Sequence, residues 1–399
     1  MNDTTHAMPV TTGRTGVWIF GARGSLATTV VAGAAAVAAG LAPAEGCAAE
    51  LPDFRAAGLP PVDALVFGGH DVVGTALVEK AGRLVDGGVL PASLLPHVRE
   101  ALTTADREIR DGLPDGGAEP QARAAERLTA DIAAFRERHG LARVVAVNLA
   151  STEPLPAADP AHASLDALEQ ALETRADVLP ASSLYAYAAF RAGCAYVNFT
   201  PSAGACLPAL EELARVTGLP HAGRDGKTGE TLVKSALAPM FRQRALKVRS
   251  WSGSNLLGGG DGATLADPAA ARSKTDSKQR SLEETLGHPV EGVVHIDNVP
   301  DMGEWKTAWN HISFEGFLGV RMTLQFTWQG CDSALAAPLV LDLARFAALA
   351  HARGEAGALP SLGFYFKSPV GSTEHNLTRQ YEALRAWAVR PDAAPAVPR

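Results

Sequence analysis

At 399 residues the chain exceeds one ordinary hydrophobic core, and length alone calls for about two or three domains. Apolar residues make up 47% and charged residues 20%, as in globular proteins; a net charge of -7 excludes a general polyanion-binding surface, so no nucleic-acid partner is expected and any anionic ligand needs a local basic pocket. The four cysteines, Cys47, Cys194, Cys206 and Cys331, form no CxxC pair, which argues against a disulfide framework or a zinc site and suits a reducing cytoplasm.

Residues 1–13 are polar, lack the apolar core of a signal peptide and are read as a disordered tail. Gly16–Phe20 is a short apolar run ended by glycine, hence a buried strand. GARGSLATT follows, then an alanine-rich helix. The apolar run Val30–Leu41 is too short for a bilayer, which needs about 20 residues, so no membrane partner is expected. Ala64–Phe67 is a second strand, ending in GGHD, and Glu100–His139 reads as helices broken by DGLPDGGAEP. Val144–Asn148 and Tyr196–Phe199 are further strands, ending in NLASTEP and NFTPS, with helical patterns around Ser164–Thr174 and Ser182–Ala192. Alternating strands and helices predict a parallel sheet with its polar loops at the strands' carboxyl ends.

After Lys234 the texture changes. Met322, Leu324, Phe326 and Trp328 alternate with Thr323, Gln325 and Thr327, the period-two signature of a sheet with one covered face. Ser333–His351 returns to helix, and LGFYFKSPVG is expected to rejoin the first domain. The predicted organisation is an α/β protein. A Rossmann-like dinucleotide-binding domain (14–235) precedes an inserted α+β domain (236–331), and a C-terminal segment (332–390) returns to the first domain before a tail (391–399) read as disordered.

In GARGSLATT, Gly21 and Gly24 permit a tight turn and close approach of a pyrophosphate to the amides of the following helix. Ala22, Arg23, Ser25 and Leu26 complete the candidate loop. The spacing departs from GxGxxG, so the strand–turn–helix context carries the signal. Asp71 in GGHD is the nearest carboxylate for a ribose hydroxyl. Asn148, Ser151, Thr152, Asn198 and Ser202 suit ribose or a nicotinamide amide, or equally cap helices beside proline.

HAGRDGKTGET carries both charge signs among glycines. Asp225 could orient a lysine, and Lys227 and Thr228 could hold phosphate or cofactor; a solvated loop is the alternative. Beyond it lie GGGDG, with Gly260 and Asp261, and SKTDSK, with Ser273, Lys274 and Lys278. On a helix, lysines at i and i+4 repel unless an anion lies between them, and a phosphate is one such anion; a plain surface lysine pair is the alternative and, on this motif alone, the one favoured. Lys306 in GEWKTAW and Lys367 in FYFKSP have aromatic neighbours that could depress their pKa and make them usable bases. His70, His221, His295, His311 and His375 show no metal-binding spacing and are read as structural.

Taken together and in order, GARGSLATT, FGGHD, NLASTEP, NFTPS, DGKTGETLVKS, GGDG, SKTDSK, EWKTAW, FEGFLG, QGCDSALAAPLVLDL and FKSPVG resemble the myo-inositol-1-phosphate synthase family, in an actinobacterial-looking branch. The resemblance implies a cytoplasmic homotetramer with tightly bound, recycled NAD, an optional monovalent or divalent cation, and a sugar phosphate substrate. It implies oxidation of glucose 6-phosphate at carbon 5, enolisation, ring closure onto carbon 1 and return of the hydride. By motif match, Lys274 would serve the oxyanion or proton transfer and Lys306 proton transfer at carbon 5, with Lys278, Lys367 and Ser273 at the phosphate. Asp225 and Asp332 would orient lysines or bind NAD or a cation, and Asp261 nicotinamide or a cation. Two departures stand out: Gly259 replaces an asparagine, and Arg379 aligns loosely with a lysine of eukaryotic relatives. They raise an alternative, a paralogue closing a five-membered ring from fructose 6-phosphate. A silent NAD-binding sensor and a simple dehydrogenase are the other readings.

Overall fold

The structure is a computed structural model that describes residues 13–114, 120–258, 282–283 and 285–390. Seven strands make one parallel sheet: β1 (Thr15–Phe20), β2 (Leu65–Asp71), β3 (Ile109–Asp111), β4 (Arg143–Asn148), β5 (Ala195–Asn198), β6 (Pro220–Gly223) and β11 (Gly357–Ala358). Their spatial order is β3-β2-β1-β4-β5-β6-β11, and every pairing is parallel. The first six follow the doubly wound dinucleotide-binding order, whose ligand crevice opens at the carboxyl ends of the paired β1 and β4, where the strand order reverses.

Both faces of this sheet are covered, which is why β1 reads as an unbroken apolar run and all six of its residues are buried. Val17 and Ile19 face α1 (Ser25–Ala38) and α9 (Asp332–Ala352); Trp18 and Phe20 face α4 (Gln121–Arg138) and α6 (Ala181–Arg191). His70 is fully buried in that second layer, where Trp18 Nε1 donates to its Nδ1 at 2.9 Å and Asp131 meets its Nε2 at 3.0 Å. Burial pushes its pKa down against the pull of Asp131.

The second sheet has the order β10-β9-β7-β8, with β7 (Lys247–Leu257), β8 (Val294–Asn298), β9 (Trp305–Glu315) and β10 (Arg321–Cys331). Its inner face packs Val248, Trp251 and Ile312 against Ala238 and Phe241 of α8 (Gly229–Gln243). The alternation in β10 is real: Leu324, Phe326 and Trp328 are half-buried, while Thr323, Gln325 and Thr327 are exposed. Met322, at the strand's start, is exposed as well.

β10 runs straight into α9. This helix is long and apolar enough to cross a membrane, but 78% of that stretch is buried inside the protein, beside α1 and on the parallel sheet. A 3₁₀ turn (Pro360–Tyr365) and α10 (Leu377–Ala388) complete the return. Three short strands go beyond the sequence reading. β3 interrupts what reads as helix, while β6 and β11 have only four and two residues and little β-branched content.

Candidate active site

The glycine turn closes β1. Gly21 adopts φ +81°, and a Cβ there would stand 2.8 Å from both the Cα and N of Ala150. Gly21 and Ala22 donate their amides to the His70 carbonyl at 2.9 and 3.2 Å, so the turn lies flush between the exits of β2 and β4. Gly24 begins α1 without a side-chain cap, which leaves the first-turn amides for a ligand. Asp71 ends β2; its carboxylate accepts from the Arg23 amide at 2.6 Å and the Val73 amide at 2.8 Å. The Arg23 guanidinium is turned away, onto Asp106 at 3.0 Å and the Val73 carbonyl at 3.2 Å.

The β4 and β5 exits divide the polar residues singled out in them. Ser151 and Thr152 line the cleft, whereas Asn148, Asn198 and Ser202 are at most 2% exposed. Asn148 donates to Asn198 Oδ1 and Thr200 Oγ1, both at 3.2 Å, Asn198 donates to the Ser202 carbonyl at 2.8 Å, and Ser202 Oγ accepts from the Glu153 amide. This network holds the two exit loops together; its side chains are spent on each other rather than offered to the cleft.

Residues 224–228 cross the far side of the cleft. Asp225 adopts φ +63°, a conformation that Asp tolerates better than most residues, and its amide donates to the Thr200 carbonyl at 2.9 Å. Lys367 binds it twice, amide to Asp225 carbonyl and Nζ to Oδ1, each at 2.7 Å. Opposite, Lys306 on β9 donates to Asp332 Oδ2 at 2.6 Å, and Asp332 Oδ1 accepts from Thr228 at 3.4 Å. Asp332 sits in the first turn of α9, where the helix dipole favours a carboxylate. Gly229, at φ +51°, leaves Lys306 its room: a Cβ there would lie 3.2 Å from Lys306 Cε. Both lysine–carboxylate pairs open on one cleft of ≈ 340 Å³, lined also by Ser25, Leu26, Thr228, Glu230 and Asn255. The cleft and the glycine turn, with Asp71 at the end of β2, could hold a dinucleotide, and both lysines line the same cleft. Ser273, Lys274, Lys278, Gly260 and Asp261 lie outside the described residues, as does Gly259. Among the described residues no three His, Cys, Asp or Glu side chains are arranged to hold a metal.

Lys227 departs from its sequence reading as a phosphate or cofactor holder. It is 4% exposed and turned from the cleft, with Nζ donating to Gln380 Oε1 of α10 at 2.5 Å. Gln380 in turn donates to the Glu374 carbonyl, so this lysine fastens the C-terminal helix beneath the site. Burial lowers its pKa to about 7. Between about pH 7 and the ordinary lysine range, the unfolded chain therefore binds the extra proton, and stability rises with pH. Lys227→Met removes a buried ammonium whose cost is on the order of 4 kcal/mol below pH 7, and leaves Gln380 short of a donor at every pH. Urea unfolding should show the variant's stability relative to the parent falling steadily from about pH 6 to about pH 10; a difference independent of pH would contradict the buried charge.

Glu304, Trp305 and Glu230 line the cleft and were passed over by the sequence reading, as was Gln380, the partner of Lys227 beneath it. Glu304 and Trp305 stand immediately before Lys306 in GEWKTAW, a motif whose lysine drew the attention.

Comparison with known proteins gives the arrangement its context. The chain is 32% identical to inositol-3-phosphate synthase 1 of Bacteroides thetaiotaomicron, with 94% of each chain covered. Its fold matches the crystal structure of inositol-3-phosphate synthase from Caenorhabditis elegans with a TM-score of 0.86, at 22% identity over 96% of this chain and 86% of that one. A myo-inositol-1-phosphate synthase-related protein from Thermotoga maritima superposes with a TM-score of 0.75, at 25% identity over 96% and 100%. An NAD-binding family model described as myo-inositol-1-phosphate synthase matches residues 15–389, and by that match over nearly its whole length the chain belongs to the myo-inositol-1-phosphate synthase family.

Proposed function

We propose that the protein converts glucose 6-phosphate to 1L-myo-inositol 1-phosphate by NAD-dependent, redox-neutral cyclisation. The observation that carries this reading is the shared cleft, in which a dinucleotide turn faces two lysines, each held by its own carboxylate. When bound, NAD+ would supply a hydride acceptor for carbon 5 and, as NADH, the hydride donor after ring closure. Asp71, at the end of β2, takes the ribose hydroxyls, while Ser151 and Thr152 reach the cofactor from the β4 exit. Lys306, set by Asp332, moves the proton at the carbon 5 oxygen as the hydride leaves and returns. Lys367, set by Asp225, contacts the substrate phosphate. Lys274, Lys278 and Ser273 are assigned to the oxyanion and phosphate, and Gly260 and Asp261 to the nicotinamide side, by motif alone.

The five-membered-ring alternative is not favoured, since the curated relative matched over 94% of both chains carries the inositol-3-phosphate synthase name. We read residues 236–331 as the catalytic and oligomerisation domain of a homotetramer. The exposed Trp309, Phe317, Leu318 and Val320 on and beside β9 and β10 support a covered face there. A cytoplasmic setting agrees with four cysteines that form no disulfide.

The test offers the purified protein glucose 6-phosphate and, separately, fructose 6-phosphate, with NAD+. Phosphorus NMR should show inositol phosphate from the first sugar alone, with no net rise in NADH absorbance. A cyclitol phosphate from fructose 6-phosphate, or accumulating NADH, would overturn the assignment.

A further inference from the structure

At the start of β9 three consecutive side chains reach out of their own sheet in three directions. Glu304 Oε1 accepts from the Ser25 hydroxyl of α1 at 2.7 Å, and its Oε2 accepts from Ser333 of α9 at 3.3 Å. Trp305 donates its indole N–H to the carbonyl of Gly87 at 2.9 Å, just past α2 (Leu77–Asp86). Lys306 donates to Asp332. All four partners belong to segments that build the parallel-sheet half of the molecule.

The entry into β9 is shaped for this crossing. A 3₁₀ turn (Pro300–Met302) is followed by Gly303 at φ +55°, and Gly258 at the end of β7 packs so closely on Gly303 that a Cβ would strike its backbone. The Trp305 side chain is 39% exposed, so it contributes little to a core, yet it is held in place by a directed bond to the other half of the molecule. Glu304 and Trp305 line the same cleft as Ser25 and Leu26. The strand therefore crosses the cleft beside the glycine turn, fastened on both sides.

We infer that Glu304 and Trp305 form a strap that holds the dinucleotide in the cleft between the two hydride transfers. The inference rests on the redox-neutral reading above. In that reaction the hydride removed from carbon 5 must return from the same NADH, so early escape leaves a sugar phosphate at the ketone level, NADH in solution and one proton released. Uncoupling is thus the specific failure that a loosened strap causes. The strap residues touch other side chains of the protein and act by positioning.

The experiment measures dissociation of NADH without sugar, by fluorescence decay when bound NADH is chased with excess NAD+. Trp305→Ala, which loses one hydrogen bond, should release NADH several-fold to roughly tenfold faster, and Glu304→Ala, which loses two partly buried ones, roughly tenfold faster or more. Glu304→Gln, which keeps a carbonyl acceptor for Ser25, should stay near the parent. Trp305→Phe, which keeps the ring and drops the donor, should be fast, and it carries the test if the alanine variant does not fold. With glucose 6-phosphate present, the fast variants should accumulate NADH absorbance while the parent does not. Unchanged NADH release in folded Glu304→Ala and Trp305→Phe would overturn the strap. Faster release from a protein whose parent forms no cyclitol phosphate would leave the strap standing and overturn the reaction instead.

Discussion

Lys306→Met should lower turnover of glucose 6-phosphate by about 10²–10⁴-fold, the usual worth of a positioned acid–base group. The geometry makes the lysine irreplaceable in two ways. Its Nζ is fixed at 2.6 Å from Asp332 Oδ2, and its stem runs through space kept open by a glycine, Gly229, in a left-handed conformation. Methionine fills the stem's place and removes only the titratable end, so NAD binding measured by fluorescence should persist. Lys306→Arg separates the two readings of this residue. Arginine keeps the charge beside Asp332 but cannot give up its proton near neutral pH. If the lysine transfers a proton, the arginine variant is as inactive as the methionine one. If it only supplies positive charge, arginine restores most of the rate, and the assignment as a proton carrier fails. Stability should change little by comparison, because Lys306 is half-buried and loses a single ion pair.

Much of the parallel half was legible because burial on both faces of a sheet writes itself as apolar runs. β1, β2, β4 and β5 all read that way, and each ends in a polar loop at the crevice. The short strands were not legible. β6, with the sequence Pro-His-Ala-Gly, contains no β-branched residue; it is a strand because β5 and β11 flank it, a fact of tertiary structure alone. The site was legible in its charged punctuation: Asp225, Lys306, Asp332 and Lys367 all line the cleft. Direction was not legible. Nothing local distinguishes Lys227, which turns inward to Gln380, from Lys367, which turns to Asp225 at the cleft, because each is aimed by a partner more than a hundred positions away. The direction of the asparagines was hidden for the same reason: Asn148 and Asn198 carry ligand-like chemistry, but adjacent parallel strands place them opposite each other, and Asn148 donates to Asn198.

Lys367→Met should lower kcat/KM for glucose 6-phosphate by about 10²-fold, with Asp225→Asn costing less and the double variant no worse than Lys367→Met alone. The expectation follows from how the pair is built. The 224–228 segment is strung between the β5 exit and the C-terminal return: the Asp225 and Gly226 amides donate to Thr200 and Phe199, while the Lys367 amide donates to the Asp225 carbonyl. The backbone ties survive both substitutions, and asparagine accepts the left-handed conformation of residue 225 nearly as readily as aspartate. What changes is the 2.7 Å ion pair, whose side chains are only 15% and 12% exposed. Removing the lysine leaves a carboxylate in a cleft that must receive an anionic phosphate, so the aspartate becomes an obstacle rather than a support. Neutralising that aspartate in the same chain relieves part of the loss, and a double-mutant cycle should report a coupling of about 0.5–3 kcal/mol. Strict additivity would mean that Asp225 does not act through Lys367, and an unchanged KM would mean that Lys367 does not meet the phosphate.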